Sequence, residues 1–283
     1  MTGNIVVGVD GSEEAETAAR WAADEAVLRS AGVHLLHARQ PWPDSVSPMA
    51  ARESEEPWAE ELLTRTAAGL RERHPGLSVT ARVTADGPVQ ALVAAAEAGD
   101  LLVLGSRALG GVAGYLVGSV GLAVAGAVER PVVLVRTDGG ARPESSVLVG
   151  VDARQPADAV LAFSFEEAAR RHAEVRVVYA QQLPLYAWGP AMVPDVRFTV
   201  RPEIEHALKE MLESWRAEYP AVTTTASVVV GSAGLELVRA ASGAGLVVVG
   251  RRTRRSAMGT HIGSVAHAVL HHSQAPVALV PHE

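Results

Sequence analysis

Two turns in the first half of the sequence carry residues of the kind that hold phosphate. An apolar run, Ile5 to Val9, ends in Asp10-Gly11-Ser12. A second, Leu101 to Leu104, ends in Gly105-Ser106-Arg107, followed by a glycine-rich stretch and Gly118-Ser119-Val120. Glycine lets main-chain N–H groups approach an anion, and a helix opening at Gly118 would present free N–H groups at its positive dipole end. Ser119 adds a hydroxyl donor and Arg107 a positive charge. The second half repeats the set as Asp152, Gly250-Arg251-Arg252 and Gly263-Ser264-Val265, with Arg254 and Arg255 adding charge. Arginine clusters hold phosphate oxygens by forked hydrogen bonds.

Other chemistries find little support. The chain has no cysteine, which excludes thiol catalysis, thiolate metal sites and disulfide scaffolds. Lys209 is the single lysine and falls in a helical stretch, so a Walker A loop is absent. No G-x-G-x-x-G follows a strand, because Gly243-Ala244-Gly245 precedes one. Gly118-Ser119-Val120-Gly121 lacks the residue between glycine and serine that a nucleophile elbow needs. His267 and His271 stand four apart, beside His261 and His272, but the matching positions of the first half are Leu122, Gly126 and Ala127, so no duplicated metal site is expected. Asp24, Glu25, Glu60 and Glu61 lie on helical faces and define no acid–base pair. The net charge of −7 argues against nucleic acid as a partner. No signal segment or apolar run of 18 residues appears, so a cytoplasmic protein is expected.

The elements that must position these turns occur twice. Ile5-Val6-Val7-Gly8-Val9-Asp10 returns as Val147-Leu148-Val149-Gly150-Val151-Asp152, an offset of 142. Leu101–Gly105, Gly118–Val120 and Pro131–Val135 return at Leu246–Gly250, Gly263–Val265 and Pro276–Val280, each at 145. A period this long is a domain duplication, joined by the Gly- and Pro-rich stretch from Arg136 to Ser146. Two domains are expected, 1–140 and 141–283. Strands are predicted near 4–9, 33–38, 78–83, 101–105 and 132–136, then 146–151, 174–180, 224–230, 246–250 and 277–280. Continuous rather than alternating apolar runs fit strands covered on both faces, as in a parallel sheet. Ala15, Ala18, Ala19, Ala22 and Ala26 form one stripe of a helix over Glu13–Arg29, which Ser12 would cap. The predicted fold is α/β: two tandem doubly wound domains, each a five-stranded parallel sheet flanked by helices. Two proline-rich connections, Arg39 to Pro57 and Gln181 to Pro202, are expected as long loops at the carboxyl edge of the sheet, suited to a lid or partner.

On these residues the sequence resembles a tandem universal stress protein. That family carries an Asp at the end of strand one and a G-x-x-G-x(9)-G-[S/T] motif after strand four. The strand-two ending His37-Ala38 and the run Ala98-Gly99-Asp100-Leu101 also match. The resemblance spans Ile5 to Val280 and implies an ATP site in each domain, with Mg2+ as its optional companion. It places the strand-one Asp at the ribose, the strand-two end at adenine, and the motif around the phosphates. Carried over, the binding residues are Gly8, Val9, Asp10, Ala38, Gly105, Ser106, Arg107, Gly118, Ser119 and Val120. In the second domain they are Gly150, Asp152, Ala180, Gly250, Arg251, Arg252, Gly263, Ser264 and Val265. The resemblance further implies pairing through the last strands, as an intrachain pseudo-dimer or a homodimer.

The match departs at the second motif glycine, which is Ala108 in one domain and Thr253 in the other. Should that position need positive φ, alanine would cost roughly 1–2 kcal/mol and threonine more. The second domain also has Ala153-Arg154 in place of Gly11-Ser12. Tighter ATP binding is therefore expected in the first domain. The favoured function is an ATP-binding stress-response regulator acting through conformation or an unknown protein partner. An interaction protein with degenerate sites is the alternative, and catalysis is expected to reach a slow ATPase or autophosphorylation at most.

Overall fold

The computed structural model describes residues 3–39, 49–108, 115–116, 118–136, 146–182, 195–253 and 262–282. The chain divides into two compact units, one N-terminal and one C-terminal.

In the N-terminal unit the elements run β1 (Asn4–Gly8), α1 (Glu13–Arg29), β2 (Gly32–Ala38), α2 (Met49–Arg73), β3 (Val79–Thr84), α3 (Pro88–Glu97), β4 (Leu101–Ala108), β5 (Tyr115–Leu116), α4 (Ser119–Ala127) and β6 (Val132–Arg136). The sheet order is β3-β2-β1-β4-β6, all parallel, with β5 a two-residue antiparallel partner of β4. The C-terminal unit runs β7 (Val147–Gly150), α5 (Asp158–Arg171), β8 (Val175–Gln181), α6 (Asp195–Glu218), β9 (Thr224–Val230), α7 (Ala233–Ala240), β10 (Leu246–Arg252), α8 (Ser264–His272) and β11 (Val277–His282). Its parallel order, β9-β8-β7-β10-β11, repeats the first. The predicted α/β fold with five parallel strands per unit is the fold observed.

Strand β6 is buried throughout, β1 at Ile5–Val7 and β4 at Leu101–Leu104, as their unbroken apolar runs require. In the N-terminal unit, α1 lies over β1 and β4 and α2 over β2 and β3, while α3 and α4 pack together. Ala18, Ala19, Ala22, Ala23 and Ala26 of α1 are fully buried, so small side chains let the helix approach the sheet closely. This is how a chain with only 4% aromatic residues fills two cores. Strand order reverses at β1/β4 and at β7/β10, and the carboxyl ends of those strands form the crevice where such sheets take ligands.

Three expectations need correction. The long connections do not reach Pro57 and Pro202, because α2 begins at Met49 and α6 at Asp195 and both prolines lie inside helices. Proline deletes one helical hydrogen bond but leaves the flanking helix formers, Ala50, Ala51, Glu53, Glu55 and Glu56, free to continue. The remainder of those connections, 40–48 and 183–194, lies outside the described residues. Strand β4 passes Gly105 to Ala108 because β5 pairs with Arg107 and Ala108. Strand β10 likewise reaches Arg252 against Pro281 and His282 of β11.

The change of repeat offset also finds its place. The αL helix caps Ser30 (φ 53°) and His172 (φ 52°) match at 142, whereas Pro57 and Pro202 match at 145. The three extra residues therefore fall between β8 and α6. No helix among the described residues is long and apolar enough to cross a membrane.

Candidate functional site

In the N-terminal unit β1 ends at Gly8, and Val9 extends the ladder by donating its N–H to the Leu36 carbonyl (2.9 Å). Asp10 then turns outward, and its Oδ1 accepts from the Ser12 N–H (3.0 Å) and hydroxyl (2.5 Å). Ser12 Oγ in turn accepts from the Ala15 N–H (3.2 Å), so the predicted cap of α1 forms and is tied to the carboxylate. Gly11 sits at φ +83°, and a Cβ there would lie 3.1 Å from the Trp58 ring. Both demands require glycine at this position. Gly105 is constrained from the other side, since its Cβ would lie 2.6 Å from the Glu14 carbonyl carbon and 2.8 Å from Ala15 N. The start of α1 can thus rest directly on the end of β4.

Because β4 and β6 are parallel, the helix between them runs back along the sheet and its N-terminus lies at the carboxyl edge. Gly118 caps α4 at φ −56°, ψ 155°, and among the described residues it has no side-chain hydrogen bond to the cap and no atom within 4 Å of an added Cβ. Gly118 and Ser119 are exposed. An open helix start with unsatisfied N–H groups and a neighbouring hydroxyl suits an anion. Gly263 of α8 repeats this geometry at φ −58°, ψ 155°, again with open space around it. At this position the two units are nearly superimposable in torsion.

The strand-one turns differ. In the C-terminal unit α5 starts only at Asp158, after Pro156, and its cap Ala157 makes no side-chain bond. Asp152 Oδ1 accepts from the Arg154 N–H (3.1 Å) and Oδ2 from the Gln155 side-chain amide (2.8 Å). Arg252 donates to Gln155 Oε1, which completes a side-chain chain from β10 to the β7 turn. Over Gly250 lies the His282 ring, 2.7 Å from the position of an added Cβ. The space that the α1 backbone fills at Gly105 is filled here by a side chain. The β2 and β8 ends differ as well: His37 stands where the other unit has Tyr179, whose hydroxyl is pushed above its usual value by burial.

Several carried-over residues have a packing role. Room at Gly8 is taken by Leu104 and Leu92, and room at Gly150 by Leu237. Val9 is buried, while Ala38 and Ala180 sit half-buried at the ends of β2 and β8. Ser106 and Arg251 are buried, and strand alternation points them to the face opposite Gly105 and Gly250. Arg252 shares the Gly250 face and is exposed. Val120 and Val265 are half-buried in the first turns of α4 and α8, behind the exposed Ser119 and Ser264. The side chain of Arg107, and Arg254, Arg255 and His261, lie outside the described residues.

The strain expected at the second motif glycine is absent. Ala108 is a paired strand residue opposite Tyr115, and among the described non-glycine residues only Ser30 and His172 have positive φ. Thr253 gives its N–H (2.8 Å) and hydroxyl (3.1 Å) to the His282 carbonyl. A backbone at negative φ accepts alanine and threonine without penalty.

Sequence reasoning passed over Trp58. It lies 47 residues beyond Gly11 and meets it only through the packing of α2. A surface groove of about 620 Å3 between α1 and α2 and another of about 360 Å3 in the C-terminal unit are lined by no motif residue. The His267 and His271 rings lie 4.3 Å apart on α8, tilted at 39°, and no group of three potential metal ligands occurs among the described residues.

Fold and site together define a tandem α/β protein with a glycine–serine helix start at each point of strand reversal. The chain belongs to the universal stress protein family, whose sequence model matches residues 1–136 and 145–281. It is 32% identical to a universal stress protein of Mycobacterium tuberculosis over 287 residues, 96% of this chain and 95% of the relative. With one from Mycolicibacterium smegmatis it shares 36% over 290 residues, 98% and 96% of the two chains. The solved universal stress protein from Archaeoglobus fulgidus has the same fold, with a TM-score of 0.77 at 18% identity over 99% and 98% of the chains.

Proposed function

We propose that the protein is a cytoplasmic adenine-nucleotide-binding stress regulator, in which occupancy of the carboxyl-edge cups changes conformation or partner choice. The observation that carries this reading is the pair of uncapped helix starts at Gly118 and Gly263, alike in torsion and open to solvent. In the N-terminal unit Asp10 takes the ribose, the Ala38 backbone the adenine edge, and Gly105 through Ser119 the phosphates. Asp152, Ala180, Gly250, Gly263 and Ser264 take these parts in the other unit. A bound Mg2+ would travel with the phosphates. The cups offer main-chain donors and one hydroxyl each, whereas phosphoryl transfer also needs a positioned base, so turnover is at most slow.

The C-terminal unit also supports a second reading, that of an interaction module whose site has faded, because the long Gln155 side chain covers Asp152 Oδ2 and the His282 ring lies over Gly250. Calorimetric titration of the purified full chain with ATP, after heat release and mass analysis of any co-purified nucleotide, separates the two. Binding that is strongest in the N-terminal unit is expected. Absence of ATP, ADP and AMP binding in both units would overturn the regulator and leave the interaction module.

A further inference from the structure

We infer that Trp58 and His37 form a base-recognition wall in the N-terminal unit, on which the exposed Trp58 ring stacks a purine. The inference rests on the nucleotide reading of the same cup and names what selects its base. Trp58 is 47% exposed, although Ala59, Leu62 and Leu63 beside it on α2 are buried. Its position is nevertheless held from two strands. One edge of the indole covers Gly11, directly after Asp10 at the end of β1. The ring also meets His37 near the end of β2 in a T-shaped contact, with centroids 5.5 Å apart and planes at 78°.

His37 is itself fixed. Its Nδ1 lies 2.7 Å from the Val9 carbonyl, which can only accept, so Nδ1 carries the proton. Val9 and Ala38 bracket the strand ends where the ribose and base are assigned. The result is a fixed, half-exposed aromatic face beside the strand-one turn. A planar base is the ligand group that such a face suits, and stacking of one base changes affinity by about tenfold or more.

The C-terminal unit lacks this wall. Pro57 and Pro202 match, as do the buried pairs Ala59 and Ile204, Leu63 and Leu208, and Ala67 and Leu212. That register puts the exposed Glu203 where Trp58 stands and Tyr179 where His37 stands. A carboxylate offers no stacking face and repels phosphate, so the C-terminal cup discriminates little between a nucleotide and bare phosphates.

The test titrates the full chain carrying Gly263→Arg, which silences the C-terminal cup, with ATP and with inorganic tripolyphosphate. Trp58→Ala should weaken ATP about tenfold and leave tripolyphosphate unchanged, and Trp58→Phe should restore most of the ATP affinity. Equal ATP binding by Trp58→Ala and its parent would overturn the wall while leaving the phosphate cup intact, as would equal weakening of both ligands. If the parent binds neither ligand, the cup reading fails and the wall with it.

Discussion

The two crevices share a helix start and differ in almost everything around it. In the N-terminal one, the strand-one turn is four residues long and leads straight into a capped helix, whose backbone rests on Gly105. In the C-terminal one the first turn of that helix is lost at Gln155-Pro156-Ala157, and side chains occupy the space: Gln155 on Asp152, Arg252 on Gln155, His282 on Gly250. Identical glycine and serine positions at α4 and α8 thus stand beside two differently built strand-one turns, one packed by backbone at Gly105 and the other by side chains at Gly250 and Asp152. A motif reports where a backbone can approach a ligand; whether the space is empty depends on the neighbours.

The largest effect should separate the units completely. Gly118→Arg fills an open cup with a long side chain and should remove ATP binding to the N-terminal unit, at least a hundredfold by calorimetry, with binding elsewhere unchanged. Retention of full affinity would break the comparison at its root.

Stability should separate them next. Gly105→Ala drives a methyl into the Glu14 and Ala15 backbone and should cost about 3 kcal/mol in denaturant unfolding. Gly250→Ala meets side chains, His282 and Val160, rather than backbone, and should cost less, about 1 kcal/mol. Equal costs would show that His282 is as fixed as the α1 backbone. Caps behave alike in sign but are smaller: Ser12→Ala should lose about 1 kcal/mol, whereas Arg154→Ala at the matching position caps nothing and should be neutral.

Gln155→Ala frees Asp152 and should tighten ATP binding to the C-terminal unit by about threefold, the scale of one exposed hydrogen bond. Unchanged or weaker binding would mean that the side-chain chain is no obstacle.

The smallest effect concerns pH. Burial, with the like charges of His271 and His272, holds His267 below the usual 6.5. The unfolded chain therefore takes up the proton first, and stability present above that value is lost as pH falls through it. Leu122 occupies the matching position in the other unit. His267→Leu should accordingly reduce the loss of stability between pH 7 and pH 5, read by unfolding curves at each pH.

Much of this was legible in local pattern. Unbroken Val/Leu/Ile runs define parallel strands, the Ala stripe defines α1, and Ser12 sits where a helix cap must be, because each signal involves residues within a few positions of one another. The two proline-rich connections misled, since the Ala- and Glu-rich helix formers around Pro57 outweighed one missing hydrogen bond. Positive φ at Ala108 and Thr253 was an inference from glycine in a motif, and neither residue adopts it.

The sequence alone therefore determined two α/β units, their ten parallel strands and the paired Gly-Ser helix starts, since short-range periodicity and capping dictate those. Tertiary structure decided what packs around each strand-one turn, backbone at Gly105 and side chains at Gly250 and Asp152, and set Trp58 against Gly11. Those outcomes depend on contacts such as that between Gln155 and Arg252, 97 residues apart, and no local pattern encodes a meeting at that range.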